Sequence, residues 1–251
     1  MKLDRLLLLS GNDIPFPEAQ VTIHHPTIKE IAWIGEENFF SGYQTLNISK
    51  NLLSEVDKVD LDKLTNFDIL IAILGEHNAV MQKNRACVKM VLALLFPQYQ
   101  ISIKRDAIEL QLEDSDEKHH LTKDNFDEFQ SIIKQLFSLE EADGIQTEFN
   151  PEGEMSRRIA EKLKKRQQKL AELKHTDVET VDIIGRYSSI LAIGSNLSLT
   201  DVLNYTLYQL LDQVKRLALK TDYEIYIQAK MAGAKDLKDP EDWMKDIHSQ
   251  N

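Results

Sequence analysis

Residues 99–137 read YQISIKRDAIELQLEDSDEKHHLTKDNFDEFQSIIKQLF, and the hydrophobic period changes within them. Tyr99, Ile101 and Ile103 alternate with polar residues, and Ile108, Leu110 and Leu112 do the same after a break at Lys104–Ala107. A period of two puts each set on one face of a strand, so the break is a tight turn and EDSDEK a second one. Phe126, Phe129, Ile133, Leu136 and Phe137 then recur at helical spacing and predict an amphipathic helix. Residues 98–140 thus read as a compact ββ(β)α unit. The predicted fold class is α+β, predominantly α-helical. It has short N-terminal strands, this meander-plus-helix unit in the middle and a helical C-terminal half. The corresponding regions are 1–97, 98–140 and 141–251.

On the N-terminal side, RLLLLSGN and AQVTIHHP predict two short strands around a turn supplied by Asn12, Pro15 and Pro17. TIKEIAWIGEENFF opens a helix. Thr27 and Glu30 have capping-box spacing, in which each side chain bonds the other's backbone N–H. Ile31, Ile34 and Asn38 fall on one face of it, and GYQTLNIS reads as a third strand or an extended link. Helices are predicted over 61–75 and 79–96; the second is apolar all round near its end, which marks deep burial, and stops at Pro97.

On the C-terminal side, EEADGIQTEFNPEGE is the best linker, polar and broken by Gly and Pro. Helices are predicted in MSRRIAEKLKKRQQKLAELK, in VETVDIIGRYSSILAIGSNLS and in TDVLNYTLYQLLDQVKRLALK. The last of these carries Leu203, Leu207, Leu210, Leu211, Val214 and Leu217 on one stripe. TDYEIYIQAKMAG reads as a separate final helix, with Thr221 and Glu224 as its capping box and Gly233 as its stop. No period of 20 to 50 residues repeats, which excludes a solenoid.

The chain has 251 residues, enough for a core without disulfides or metals, and a net charge of −11 that repels nucleic-acid backbones on average. Its one Cys, Cys87, lies in an apolar run, reads as a small core residue and fits a reducing compartment. The opening run of four Leu is too short for a signal h-region or a membrane span, and no other stretch reaches 18 apolar residues. The expectation is an intracellular, soluble protein.

The search for chemistry finds no Gly-rich phosphate loop. AIGSNLS lacks the second Gly of a nucleophile elbow, so Ser195 reads as a helix N-cap or loop residue. The histidines come as neighbours, His24–His25 and His119–His120. Adjacent strand residues point to opposite faces, so neither pair chelates one ion. Asp57, Asp60 and Asp62 lack the EF-hand spacing and its central Gly. The expectation is no enzyme, no metal and no cofactor.

Two features remain. Between Met155 and Lys174 eight cations, among them Arg157, Arg158, Lys162 and Lys165, stand against Glu161 and Glu172. Met155, Ile159, Leu163 and Leu170 form a narrow apolar seam beside them. Such a helix is solvated, lies on an acidic body, its own or a partner's, or binds nucleic acid; without interleaved aromatics in an acidic chain, the last is the least favoured. The second feature is MAGAKDLKDPEDWMKDI, residues 231–247. Asp239 and Pro240 suit the N-cap and N1 positions of a short terminal helix. Trp243, Met244 and Ile247 then make one apolar patch, which docks on the chain's own core or, with Trp243 as hot spot, on a partner.

HHPTIKEIAWIGEENFFSGYQTL, FNPEGEMSRRIAEKLKKRQQKLAEL and LNYTLYQLLDQVKRLALKTDYEIYIQAKMAGAKDLKDPEDWMKDI together resemble proteins of the tail-morphogenesis module of tailed bacteriophages, of the tail or baseplate assembly chaperone kind. The last stretch, Tyr-rich and ending in an acidic Trp–Met segment, carries most of the likeness. The resemblance implies a non-enzymatic partner that keeps a phage tail protein soluble or helps assemble a baseplate, in the cytoplasm of the infected bacterium. With no apolar run long enough to span a bilayer, no membrane partner is expected, and a homo-oligomer is compatible with the reading. The client-binding residues it points to are Tyr223, Tyr226, Trp243, Met244 and Ile247, with Arg157, Arg158, Lys162 and Lys165. The alternatives are a structural component retained in the virion and a nucleic-acid-binding regulator using 155–174.

Overall fold

The computed structural model describes residues 2–49, 64–75, 79–112, 116–138, 182–234, 239–242 and 244. The predicted linker, the basic helix with Arg157, Arg158, Lys162 and Lys165, the Asp57–Asp62 stretch, and Trp243 and Ile247 lie outside the described residues.

The chain opens with α1 (Arg5–Ser10), β1 (Ile14–Phe16), a 3-10 turn and β2 (Val21–Ile23). RLLLLSGN, expected as a strand, is a helix. The Asp4 side chain accepts the N–H groups of Leu6 and Leu7, and Gly11, at φ +70°, caps the other end. Four leucines in a row carry no period, so the caps decide the conformation. The strand paired with Val21–Ile23 is instead Ile14–Phe16, with Ile14, Phe16, Val21 and Ile23 inward.

Helices α2 (Ile28–Ile34) and α3 (Glu36–Leu46) follow. The Thr27–Glu30 capping box is formed as predicted. Gly35, at φ +82°, breaks the expected single helix, and Asn38 belongs to the next one, donating to the Ile34 carbonyl at 2.7 Å. GYQTL, expected as a strand or link, is the end of α3; Phe39, Gly42, Tyr43 and Leu46 form its buried stripe at helical spacing. Helix α4 (Asn66–Gly75) starts at a reciprocal Thr65–Asp68 cap, and α5 (Ala79–Leu95) ends before Pro97. Gly42 lets α3 and α5 touch, because a Cβ there would stand 2.5 Å from the Cys87 carbonyl.

The meander is as read: β3 (Tyr99–Ile103), β4 (Ile108–Leu112) and β5 (Lys118–Leu121) pair antiparallel in that order. Lys104 N–H donates to the Ala107 carbonyl and closes the first turn. Ile108 and Leu110 are fully buried. Between them Glu109 engages Lys104 and Lys118, whose hydrogen bonds lower its pKa to about 2. Helix α6 (Phe126–Phe137) is the hub of the core. Phe126 meets Phe67 at 5.3 Å between ring centroids, Phe129 meets Phe96 at 5.9 Å, and Phe137 meets Phe39 and Tyr43 at 5.0 and 5.4 Å. Its aromatics thus join elements from α3, α4 and the end of α5.

The C-terminal layer comprises α7 (Ile183–Ser195), α8 (Leu199–Leu203) and α9 (Leu207–Met231). Ser195 ends α7, and Ser198 is the N-cap that follows. Two predicted helices are one, since α9 runs through Thr221 without a break. Its capping box is Thr206–Gln209, while the Thr221 hydroxyl bonds back to the Leu217 carbonyl. Gly233, at φ +84°, lies just past its end. Among the described residues no helix is long and apolar enough to cross a membrane.

Candidate functional site: the outer half of α9 and the C-terminal segment

The first half of α9 is held by α1 and α6. Leu207, Tyr208, Leu210 and Asp212 are buried. The Asp212 carboxylate takes Arg5 at 3.2 Å and Arg216 at 2.9 Å, and Gln209 donates to the Leu9 carbonyl at 2.7 Å. From Lys220 to Met231 no residue is buried. The outer half of α9 carries exposed Tyr223, Ile225 and Met231 among its polar residues.

Two sides of this outer half differ. One carries Tyr223 and Tyr226, together with the returning C-terminal segment. Beyond Gly233 the chain comes back to α9, where the Tyr226 hydroxyl donates to Asp239 Oδ1 at 2.5 Å and Lys230 donates to the Tyr226 oxygen at 2.9 Å. The expected terminal helix is not formed at Pro240–Asp242. The Asp239 carboxylate accepts from Tyr226 rather than from a backbone N–H ahead of it, and Asp242 bonds the Met244 N–H in a local turn. Tyr223 and Met244 are exposed. Among the described site residues, Tyr226 and Asp239 are thus brought together.

The other side, with α7, forms an open groove of about 650 Å³ lined by Ile190, Ile193, Val214, Leu217 and Ala218. A Cβ at Gly194 would stand 2.4 Å from Leu217 Cδ2, so α7 and α9 cross closely there. Lys220, Asp222 and Glu224 rim the groove.

Sequence reasoning missed Trp33. It sits in an apolar-looking helix yet is 85% exposed, because Ile28 and Ile31 take the inner face of α2 and Trp33 falls opposite them. That period was legible in IKEIAWI. The histidine pairs split as expected. His119 is buried against Tyr99 and His120 is exposed. His24 lies within 2.8 Å of Asp13 and 3.2 Å of Glu30, while His25 is buried. Among the described residues no three His, Cys, Asp or Glu side chains converge as a metal site.

No curated protein and no solved structure matches the chain. Residues 183–248 match the family model described as "YomV second domain", a domain of a phage-encoded protein family. The matched stretch spans α7, α8, α9 and most of the C-terminal segment, and so includes both sides of the outer half of α9. The match associates this region with phage proteins.

Proposed function

We propose that the protein is a non-enzymatic assembly partner in phage tail or baseplate morphogenesis, gripping a client tail protein through the tyrosine side of α9 and the C-terminal segment. One observation carries the reading. The stretch matched by a phage domain family is the stretch where α9 leaves its packing and the chain returns beside it, pinned at Tyr226–Asp239. Exposed Tyr223 and Met244 supply adaptable contact area, and a protein that holds another polypeptide needs such surfaces and no cofactor. The reading places the chain in the cytoplasm of the infected host.

The test is co-expression with the tail-module proteins of the same phage, followed by affinity capture and by mass spectrometry of purified virions. Capture of one tail protein, with the chain absent from mature particles, is the expected result. Abundance in the mature particle replaces the chaperone role with that of a virion component. No tail protein captured removes the reading.

A further inference from the structure

The two outer edges of the three-stranded sheet differ. On β5 the outward carbonyl of His120 accepts from Asn125 Nδ2 at 3.0 Å, and the same amide reaches the Glu18 carbonyl at 3.3 Å, so the chain closes that edge itself. On β3 the register is fixed by the Lys104–Ala107 hydrogen bond. Every second residue back from it, Ser102 and Gln100, turns its backbone to β4. Tyr99, Ile101 and Ile103 therefore turn theirs outward. The Tyr99 N–H donates to the Phe96 carbonyl at 3.1 Å, and the Ile103 carbonyl accepts from Arg85 Nη2 at 3.3 Å. The Tyr99 carbonyl, both backbone groups of Ile101 and the Ile103 N–H have no hydrogen-bond partner among the described residues. The strand lacks the usual guards of an edge. YQISI has no charge and no proline, its pairing with β4 has no bulge, and Tyr99, Ile101 and Ile103 are half-exposed.

We infer that this edge pairs with the same edge of a second copy of the chain, antiparallel, about a twofold axis at Ile101. The pattern of free groups selects that occupant. From Tyr99 to Ile103 it runs acceptor, donor, acceptor, donor. Under the twofold, the Tyr99 carbonyl meets the Ile103 N–H of the second copy, and Ile101 exchanges both its bonds with Ile101. Every free group finds its complement. The two groups already satisfied within the chain, the Tyr99 N–H and the Ile103 carbonyl, are the ones that fall opposite each other. The side chains agree: Ile101 meets Ile101 and Tyr99 meets Ile103 on one face, and Gln100 meets Ser102 on the other. Parallel pairing would bring Lys104 and Arg105 of the two copies together, whereas antiparallel pairing keeps them at opposite ends. A five-residue edge is short, so the dimer is a weak one. It does not rest on the client reading, which uses α9 and the C-terminal segment.

The experiment is a concentration series of the full chain up to about 0.5 mM, read by sedimentation equilibrium and by amide hydrogen exchange. The wild type passes from monomer to dimer, and the Ile101 and Ile103 amides become protected as it does. Those of Gln100 and Ser102, bonded to β4 throughout, do not change. Ile101→Pro removes an outward N–H, leaves the ladder to β4 intact and abolishes the dimer. Gln100→Lys/Ser102→Lys sets like charges opposite each other twice and weakens self-association by about threefold or more; Gln100→Glu/Ser102→Lys sets opposite charges there and strengthens it by a similar factor. Both positions are exposed, and far-UV circular dichroism verifies that the variants fold. A chain that stays monomeric throughout overturns the inference. So does a dimer that leaves the Ile101 and Ile103 amides unprotected or ignores both charge variants. No client is present in the assay, so its outcome is separable from that of affinity capture.

Discussion

Thr27 and Thr206 meet in an antiparallel bridge, and each is the N-cap of its own helix. Ile28 N–H donates to the Tyr205 carbonyl at 2.8 Å beside them. One junction therefore starts α2 in the N-terminal region and α9 in the phage-matched region. Thr27→Ala or Thr206→Ala removes one capping box and costs about 1 kcal/mol. The double variant departs from the sum of the two by at least about 0.5 kcal/mol, because the residues are in contact. Urea denaturation of the four proteins measures the coupling; strict additivity means the junction does not link the two caps.

Gly42 tests the α3–α5 contact. Gly42→Ala drives a methyl into the Cys87 carbonyl and Val91, and costs about 1–3 kcal/mol. Gly75→Ala, at a helical position with nothing within 4 Å of the new methyl, is neutral or mildly stabilising. Thermal midpoints that move equally for the two variants contradict the close approach.

His25 makes stability fall with acid. Its ring is buried and completes no hydrogen bond, although the Leu136 backbone lies near enough to favour the charged form slightly. Burial lowers its pKa from 6.5 to about 4. Between those values the unfolded chain binds a proton that the folded chain does not. The contribution is therefore present above pH 6.5 and is lost as pH falls towards 4. Between pH 7 and pH 5 the loss is about 2 kcal/mol. His25→Leu removes that part of the slope in urea titrations; an unchanged slope shows that His25 is hydrated.

Asp212 tests the attachment of α9 to α1. It is buried and shared by Arg5 and Arg216. Asp212→Ala leaves both cations without their carboxylate and costs about 3 kcal/mol in urea denaturation. A cost below about 1 kcal/mol means that the outer half of α9 is not the only part of the helix that is loosely held.

Much of this architecture is legible in the sequence where period and cap agree. The alternation at Tyr99–Leu112 gave the meander, the Phe126–Phe137 stripe gave the hub helix, and Thr27–Glu30 gave a formed capping box. Legibility failed where one signal stood alone. The leucines of RLLLLS suit strand and helix equally, and Asp4 and Gly11 decide between them. Thr221–Glu224 has cap spacing but falls inside a continuous helix, since Thr206 upstream already holds the cap. In the candidate site, the Tyr-rich stretch was visible as a sequence, but the Tyr226–Asp239 bond was not. It depends on the chain turning back beyond Gly233, a tertiary event. Trp33 is apolar yet faces outward, because its angle to Ile28 and Ile31, not its hydrophobicity, decides its side of the helix.

The central claim, that the tyrosine side of α9 and the segment returning to it hold another polypeptide, is tested most directly by pairing client capture with thermal stability for Tyr223→Ala and Trp243→Ala. Both variants are predicted to lower capture of the tail protein while the thermal midpoint stays within about 2 °C of wild type, because Tyr223 is exposed and Trp243 is assigned to the partner rather than to the core. Capture that survives in both variants while the midpoint drops by several degrees contradicts the account and makes the C-terminal segment a flap on the chain's own core.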